Sequence, residues 1–360
     1  YGLGGSEMCI RDRIGRIYMG DIKLAVIAFL ISLGVTPFVR KLAFKIGAVD
    51  VPKEARKIHN KPMPRMGGFA IFIAFVLGLV ISKGAITTTE RGIIIGATVI
   101  VIGGILDDVM DLKPKSKLAF QVLAAVILIL HGIYINSITN PFSSLSDGFI
   151  NINIFAIPMT IIWVVGVTNA LNLIDGLDGL AAGVGFIASV TIYMVAILAE
   201  RNSVATLTAI LAGSILGFLP YNFNPASIFM GDTGSQLLGF LLAAISMEGA
   251  VKSATTFVIV VPILALGLPI YDTLFAVIRR KVNGKSIMEA DRGHLHHRLL
   301  DLGLSQRQSV IIMYLISACL GAIAILAMEI STKKAYFLLV SVIVLIAGVA
   351  WKMGFFKKSI

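Results

Sequence analysis

Long apolar runs separated by short polar segments dominate the pattern of this 360-residue chain. A membrane-spanning helix needs about 20 mostly apolar residues, and somewhat fewer where it is packed or tilted. Pro262 and Pro269 predict a break or tilt in the ninth such segment. The pattern predicts an all-α polytopic membrane protein, a bundle of ten or eleven transmembrane helices. The candidate spans are residues 22–39, 67–82, 92–106, 118–135, 154–171, 179–198, 204–219, 235–248, 255–278, 308–328 and 335–354.

The composition agrees with this pattern, because 57% of the residues are hydrophobic and 14% are charged. A soluble domain of this length could not bury so much apolar material. Cys9 and Cys319 are too few for a disulfide framework or a zinc site. Residues 1–18 are polar and precede Met19, so we interpret them as a non-native or disordered extension. Residues 19–360 form a single predicted integral-membrane domain.

The net charge of +11 could indicate a nucleic-acid partner, but its distribution favours membrane topology. Of the 31 Lys and Arg residues, 21 fall in alternate loops on one side of the predicted bundle, and six fall in the loops on the other side. Positive residues concentrate in cytoplasmic loops. We therefore expect the basic loops in the cytoplasm, the N-terminus outside, and no nucleic-acid partner.

Acidic residues recur at the predicted cytoplasmic ends of the spans. Carboxylates at membrane depth are costly unless they are paired or bind a cation. An isolated acidic pair would ordinarily be interpreted as a helix cap. Recurrence at three ends instead favours one shared site with an active face in the cytoplasm. The six residues are Asp107, Asp108, Asp111, Asp175, Asp178 and Asp232.

Lysines follow the first acidic group at positions 113, 115 and 117. Carboxylate oxygens suit Mg²⁺, which binds one or two carboxylates together with substrate phosphates. The lysines can stabilise the charge that develops on those phosphates. Phosphoryl transfer requires little more than charge neutralisation and positioning. Asp107, Asp108 and Lys117 are therefore candidate catalytic residues.

The segment Asn172 to Gly179, NLIDGLDG, places Asp175 and Asp178 three residues apart with glycines beside them. Glycines permit a tight turn and the close approach of a ligand. By itself the segment could be an Asx-turn and a helix cap. Alcohol phosphotransferases that act on CDP-lipids have a similar spacing, but their following Ala-Arg and downstream paired aspartates are missing.

The segment Phe229 to Gly234, FMGDTG, offers an aromatic face for a nucleobase and an acid, Asp232, for a metal. Asn222 lies seven residues before Phe229 and has an amide able to bind a uracil edge. Without this context, Asn222 would be interpreted as an ordinary turn residue.

The second long basic loop contains His294, His296 and His297, preceded by Arg292. Closely spaced histidines often bind zinc. The neighbouring arginines instead favour recognition of phosphate or sugar, because guanidinium groups bind anions and repel cations. Lys61 and Arg65 make the first long loop a second candidate anion-binding element, although topogenic charge alone would also explain these residues.

Together these segments resemble the polyprenyl-phosphate N-acetylhexosamine-1-phosphate transferase family, whose members start lipid-linked peptidoglycan, O-antigen and teichoic-acid assembly. The resemblance covers the chain from Met19 and follows the order of the family's motifs. These are Pro64 to Gly68, Asp107-Asp108 with Lys117-Leu118 and Gln121, Asn172 to Gly179, Phe229 to Gly234, and His294-x-His296-His297.

The resemblance implies transfer of a sugar phosphate from a UDP-N-acetylhexosamine to undecaprenyl phosphate, with release of UMP. It implies Mg²⁺, with Mn²⁺ as an alternative ion, and a place in the bacterial cytoplasmic membrane. A homodimer is compatible with it. Asp232 would be the metal ligand, and Asp107 and Asp108 the acidic pair near the lipid phosphate. The implied substrate contacts are Asp175, Asn222 and Phe229 for uridine, Lys117 for a phosphate, and the loop with His294, His296 and His297 for the sugar diphosphate. Further candidate substrate-binding residues are Asn172, Asp178, Lys61, Arg65 and Arg292.

Two alternatives stay open at this point. The phospho-N-acetylmuramoyl-pentapeptide translocase is similar, but it typically has three consecutive histidines followed by an acid, whereas Leu295 interrupts them here and Arg298 follows. This pattern favours N-acetylglucosamine as the sugar. A transporter would use intramembrane acids as an ion path, but here the acids are predicted at one face.

Overall fold

The structure, a computed structural model, describes residues 3–51, 62–82, 85–140, 149–251, 260–285 and 293–352. Within these ranges the chain is predominantly helical, as the apolar pattern predicts. The helices are α1 (Leu3–Ile46), α2 (Gly68–Ser82), α3 (Thr88–Met110), α4 (Pro114–Leu130), α5 (Ala156–Ile174), α6 (Leu180–Leu198), α7 (Asn202–Asn222), α8 (Gly231–Val251), α9 (Val260–Ala265), α10 (Gly267–Val282), α11 (Leu295–Asp301), α12 (Gln306–Leu326) and α13 (Thr332–Lys352).

Ten of the predicted spans each overlap one of these helices, and the ninth overlaps two, α9 and α10. The ends differ by a few residues except in α1, which begins at Leu3, before the predicted start at position 22. Capping explains one difference: Thr87 and Glu90 form a capping box that starts α3 before the apolar run. The predicted break in the ninth span is confirmed, because α9 ends at Ala265 and α10 begins at Gly267. Among the described residues, seven helices are long and apolar enough to cross a bilayer, namely α1, α3, α5, α6, α7, α12 and α13. An all-α multi-pass membrane protein is therefore confirmed.

Two short antiparallel hairpins join helices. Strands β1 (Val49–Asp50) and β2 (Met63–Pro64) pair with Val49 opposite Pro64. Strands β3 (Ser137–Thr139) and β4 (Phe149–Asn151) pair with Ile138 opposite Ile150. The first hairpin leads directly into the candidate anion-binding residue Arg65.

Helix α8 is the core of the bundle, since every residue from Thr233 to Glu248 is buried. A helix that is buried on all sides must pack against neighbours around its whole circumference. Small residues allow this close packing: Gly104 of α3 lies against the backbone of Thr233, and Gly239 lies against the backbone of Thr168 in α5. Any Cβ at either glycine would overlap that backbone.

The outward side chains of the peripheral helices are apolar and exposed. Phe38 is 70% exposed, Leu130 76% and Phe337 76%. In water such a surface would be unfavourable, whereas in a bilayer it faces hydrocarbon of similar polarity. The exposed faces therefore agree with a lipid environment.

The alternation of helix directions brings the motif segments to one end of the bundle. The C-terminal ends of α3, α5 and α7 meet the N-terminal ends of α4, α6 and α8 there. Hydrogen bonds join these ends directly, from Lys117 and Asn172 to Asp232 and from Asn224 to Asp178. The core helix α8 thus begins at this end, and the residues at its start face the other helix ends.

Candidate active site

A cleft of about 510 Å³ opens at this end of the bundle. Nine of the residues predicted from the sequence line it, drawn from α3, α5, α7, α8, α11 and the loops beside them. They are Arg65, Asp108, Asn172, Asp175, Asp178, Asn222, Phe229, Asp232 and His297. The structure therefore brings together residues that are as much as 232 positions apart in the sequence.

Other predicted site residues lie elsewhere. In the part of the chain that the structure describes, Asp107 and Lys117 lie behind Asp232, and His294 and His296 are buried beside the cleft. Lys61 and Arg292 lie outside the described residues. The acidic and histidine groups are thus divided between side chains that face the cleft and side chains that support them.

Asp232 occupies the first turn of α8 and is held by three side chains. Lys117 Nζ lies 2.6 Å from Oδ2, and Gln236 Nε2 donates to the same oxygen at 3.1 Å. Asn172 Nδ2 donates to Oδ1 at 3.1 Å and also to Ser235 Oγ at 2.9 Å. A carboxylate at a helix N-terminus is further stabilised by the helix dipole. Asp232 is therefore fixed in one orientation as an anion.

Lys117 bridges two carboxylates, because its Nζ also lies 2.6 Å from Asp107 Oδ2. The other oxygen of Asp107 accepts a hydrogen bond from the Leu112 backbone N–H at 2.7 Å. The N-terminus of α4, which begins with Pro114, brings Lys117 to this position one turn into the helix. An ammonium has three N–H donors, so one donor beyond these two contacts is available for a further anion.

Asp108 is the N-terminal cap of α8, although it lies on α3. Its Oδ1 accepts a hydrogen bond from the Asp232 N–H at 2.9 Å. Its Oδ2 accepts one from the Thr233 N–H at 3.1 Å and another from Thr233 Oγ1 at 2.6 Å. These N–H groups have no partner within their own helix. Asp108 therefore joins the end of α3 to the start of the core helix, in addition to lining the cleft.

The loop after α5 contains two carboxylates with different surroundings. Asp178 Oδ2 accepts hydrogen bonds from Asn224 Nδ2 at 2.9 Å and from the Ala226 N–H at 3.1 Å, which ties this loop to the one after α7. Burial, together with the charges of Asp232, Asp108 and Asp178, raises the pKa of Asp175 to about 8. Asp175 thus lies in an environment that is rich in negative charge.

The segment from Pro64 to Gly68 pairs with the start of the FMGDTG segment through its backbone. Phe229 N–H donates to the Pro64 carbonyl at 2.8 Å, and the Gly67 and Gly68 N–H groups donate to the Phe229 and Met230 carbonyls at 3.0 Å each. A Cβ at Gly68 would overlap Gly234. This pairing requires glycine and fixes the half-buried Phe229 at the cleft wall.

Asn222 is buried at the end of α7 and lines the same cleft. Its Nδ2 donates to the Ile228 carbonyl at 3.1 Å, which determines the orientation of the amide. Its Oδ1 has no hydrogen-bond partner among the described residues. Buried polar atoms are usually satisfied, so an acceptor of this kind suits the N–H group of a ligand.

The histidine loop is anchored by Asp272 of α10. Its Oδ2 lies 2.7 Å from His294 Nδ1, and its Oδ1 accepts from the Leu295 N–H at 2.9 Å. Burial and the neighbouring His297 lower the pKa of His296 to about 3. The rings of His296 and His297 are 4.2 Å apart between centroids. His294 and His296 thus support His297, which lines the cleft.

Three residues that support the site were not predicted from the sequence. Asp272 is an acid inside a predicted span, which is by itself a sign of function. Gln236 lies four residues after Asp232, so both face the same side of α8. Asn224 holds Asp178, and only its place beside Pro225 could have drawn attention to it.

The residues around Asp232 fit a magnesium ion bound together with substrate phosphates. Among the described residues, no three His, Cys, Asp or Glu side chains are arranged to hold a metal by themselves. Mg²⁺ needs only one or two carboxylates when phosphates and water complete its shell. A carboxylate oxygen has two lone pairs. Asp232 Oδ1 accepts the hydrogen bond from Asn172 Nδ2 with one of them, which leaves the other for a cation.

The sequence matches the family described as glycosyl transferase family 4 over residues 91–250, a range that includes Asp107, Asp108 and Asp232. The chain is 43% identical over 338 residues, covering 93% of each sequence, to a Bacillus subtilis protein named "Probable undecaprenyl-phosphate N-acetylglucosaminyl 1-phosphate transferase".

Two further relatives are more distant. A Mycobacterium tuberculosis protein named decaprenyl-phosphate N-acetylglucosaminephosphotransferase is 34% identical over 342 residues, 87% of this chain and 84% of the relative. A Clostridium botulinum protein named phospho-N-acetylmuramoyl-pentapeptide-transferase is 30% identical over 318 residues, 84% of this chain and 94% of the relative. With these similarities over most of its length, the chain belongs to glycosyl transferase family 4 and is a multi-pass membrane enzyme of the polyprenyl-phosphate N-acetylhexosamine-1-phosphate transferase type.

Proposed function

We propose that this enzyme transfers N-acetylglucosamine-1-phosphate from UDP-N-acetylglucosamine to undecaprenyl phosphate. An oxygen of the lipid phosphate attacks the phosphorus that carries the sugar. The bond between that phosphorus and the oxygen that bridges the two phosphate groups of the donor breaks, and UMP leaves with the bridging oxygen. The products are a lipid diphosphate sugar and UMP, and the reaction starts a lipid-linked cell-envelope glycan.

The observation that carries this proposal is the place of Asp232 in the cleft. It is an oriented carboxylate at the start of the core helix, and Asn222 and Phe229 line the same 510 Å³ cleft. A diphosphate that binds with Mg²⁺ needs a carboxylate to hold the ion. A nucleoside needs a polar group for the edge of its base and an aromatic ring for its face. The cleft contains all three kinds of group.

Mg²⁺, when bound, would neutralise charge on the diphosphate. Asp232 would hold the ion through Oδ1, and Asn172 keeps that oxygen in position with its 3.1 Å hydrogen bond. Lys117 is the natural partner for a phosphate oxygen, because its ammonium has one donor beyond its contacts with Asp107 and Asp232. Asp232, Asn172 and Lys117 would therefore stabilise the charge of the reacting phosphates.

The nucleoside end of the donor would lie against Phe229 and Asn222. Asn222 Oδ1, which has no hydrogen-bond partner within the described part of the chain, can accept the N–H of a uracil ring, and the Phe229 ring can stack on the base. Asp175 lines the same cleft and is a further candidate contact for the nucleoside. His297 is the candidate contact for the sugar diphosphate.

A general base is unnecessary for this reaction, since a phosphate monoester is already ionised near neutral pH. The contacts of the acidic pair support the same conclusion. Asp107 is paired with Lys117, and Asp108 accepts three hydrogen bonds at the start of α8. We therefore propose that Asp107 positions Lys117 and that Asp108 positions Asp232.

The charge distribution supports a cytoplasmic active site. The cleft lies at the same end of the bundle as the described residues of the basic segments 40–66, 107–117 and 279–307. Positive loops are retained in the cytoplasm. The histidine pattern and the 43% identity to an N-acetylglucosaminyl enzyme, against 30% to a muramoyl-pentapeptide enzyme, support the choice of sugar.

The test is UMP release by purified protein in detergent. We expect release from UDP-N-acetylglucosamine only when undecaprenyl phosphate and Mg²⁺ are both present, with Mn²⁺ as a substitute. The matched arm replaces the donor with UDP-N-acetylmuramoyl-pentapeptide. Preference for that donor would identify a muramoyl-pentapeptide enzyme, and no release from either donor with the lipid present would reject the proposed reaction.

A further inference from the structure

Behind Asp232, a chain of three amide side chains connects α5, α4 and α8. Asn169 Nδ2 donates to Gln121 Oε1 at 2.7 Å, and Gln121 Nε2 donates to Gln236 Oε1 at 3.1 Å. Gln236 Nε2 then donates to Asp232 Oδ2 at 3.1 Å. Gln121 and Gln236 are 1% and 3% exposed, so the bond between them is shielded from water.

The direction of this chain is determined by its two ends. At one end, Asn169 Nδ2 also donates to the Val165 backbone carbonyl at 2.8 Å, and a carbonyl can only accept. At the other end, the ionised carboxylate of Asp232 can also only accept. If Gln236 were turned by 180°, its carbonyl oxygen would face that carboxylate. The four groups are therefore compatible with one arrangement, in which Asn169, Gln121 and Gln236 each donate to the next group towards Asp232. Gln121 Nε2 also makes a longer contact, 3.4 Å, back to Asn169 Oδ1.

The function of this arrangement follows from the two oxygens of Asp232. Gln236 and Lys117 both bind Oδ2, whereas Oδ1 is bound by Asn172. Rotation of the carboxylate would break the bonds on both sides. A fixed carboxylate needs no reorganisation when a cation binds, and partners behind a metal ligand commonly change metal affinity by about 10- to 100-fold.

We propose that Gln121 and Asn169 are positioning residues that act through Gln236 to orient Asp232 for cation binding. The proposal rests on the proposed function in that it assigns the cation to Asp232. Neither Gln121 nor Asn169 lines the cleft among the described residues, so direct contact with substrate does not explain an effect of changing them.

The variants Gln121→Met and Gln121→Glu test this relay, the chain of hydrogen bonds that runs from Asn169 through Gln121 and Gln236 to Asp232. Methionine has a similar volume and removes the hydrogen bonds. Glutamate keeps the shape but cannot donate to Gln236 when ionised. The control is Thr208→Val in α7, since Thr208 is fully buried and its hydroxyl bonds only to carbonyls of its own helix, Val204 and Ala205, among the described residues.

The first measurement is binding of Mn²⁺ to the full-length protein with UDP present, followed by electron paramagnetic resonance. We expect both Gln121 variants to raise the Kd for Mn²⁺ by about tenfold or more, whereas Thr208→Val leaves it unchanged. The Mg²⁺ concentration for half-maximal UMP release should rise in parallel, with little change in the KM for the lipid. An unchanged Kd in folded Gln121 variants would overturn the relay.

A double-mutant comparison separates a relay from general destabilisation. If Gln121 acts only through Gln236, the variant Gln121→Met/Gln236→Met should bind Mn²⁺ no more weakly than Gln236→Met alone. Additive losses would overturn the relay. If the wild-type protein binds Mn²⁺ but releases no UMP, the proposed function is rejected. The Mn²⁺ affinities of the variants then test the relay by themselves.

Discussion

Asp108 on α3 and Thr233 on α8 are joined twice, through the Thr233 N–H at 3.1 Å and its hydroxyl at 2.6 Å from the same carboxylate oxygen. The Asp232 N–H donates to the other oxygen. In Asp108→Asn, an NH₂ group would replace one oxygen and face at least one of these donors. We expect a loss of about 1–3 kcal/mol of stability together with a loss of activity, because a buried donor would lack its acceptor.

The measurement is the Tm of purified Asp108→Asn in detergent beside its rate of UMP release. Thr233→Val removes the hydroxyl contact but keeps the backbone contact, so it should have an intermediate Tm. If Asp108→Asn kept the wild-type Tm while losing all activity, its carboxylate would have a chemical role in place of the capping role.

Asp232→Asn should abolish turnover while the protein stays folded. The change removes the charge that would hold the cation, and metal stabilisation of a phosphoryl-transfer transition state contributes several kcal/mol, equivalent to a loss of about 100-fold or more in kcat. The matched control is Asp301→Asn, an exposed aspartate at the end of α11. Normal activity of Asp232→Asn at saturating Mg²⁺ would refute the metal role.

The sequence was sufficient to predict that the acidic segments meet at one end of a helical bundle. The alternation of spans determines that result, because every second loop lies on the same side. The partners of Asp108 and Asp272 could not be predicted, since they depend on how α3 meets α8 and how α10 meets the histidine loop. Periodicity describes which face of a helix is buried, but not which polar atoms meet across two helices.

Phe229→Ala should raise the KM for UDP-N-acetylglucosamine by about tenfold, since stacking of one base on an aromatic ring contributes about 1–3 kcal/mol. The KM for undecaprenyl phosphate should change much less. Phe229→Leu retains apolar volume without the ring face, so it should resemble alanine if stacking is the interaction. Steady-state kinetics with each substrate varied in turn measures both constants, and equal effects on the two would remove the stacking hypothesis.

Gly176→Ala should disturb the histidine loop. A Cβ at Gly176 would overlap Nε2 of His296, whose ring is 98% buried and cannot move into solvent without exposing its neighbours. We expect a lower Tm and at least a severalfold slower turnover, because His296 supports His297 at the cleft. Gly34→Ala in α1 is the control, since a Cβ there meets no atom within 4 Å. A variant Gly176→Ala with wild-type Tm and rate would show that the loop has room to adapt.

The depressed pKa of His296 makes stability depend on pH in a defined direction. Burial, with the neighbouring His297 and His294, lowers that pKa to about 3 in the folded protein, and attraction to Asp272 does not offset this. In the unfolded chain a histidine has a pKa of about 6.5. Below pH 6.5 the unfolded state therefore binds a proton that the folded state does not, so folding becomes less favourable as the pH falls towards 3.

At pH 5 this difference amounts to about 2 kcal/mol, whereas above pH 7 it vanishes. His296→Asn cannot bind the proton in either state. Its Tm at pH 7 should be below that of the wild type, because it loses ring packing, but its decline between pH 7 and pH 5 should be smaller. Thermal unfolding of both proteins at pH 5, 6, 7 and 8 gives the two slopes. Parallel curves would mean that His296 is protonated at pH 5 in the folded protein as well.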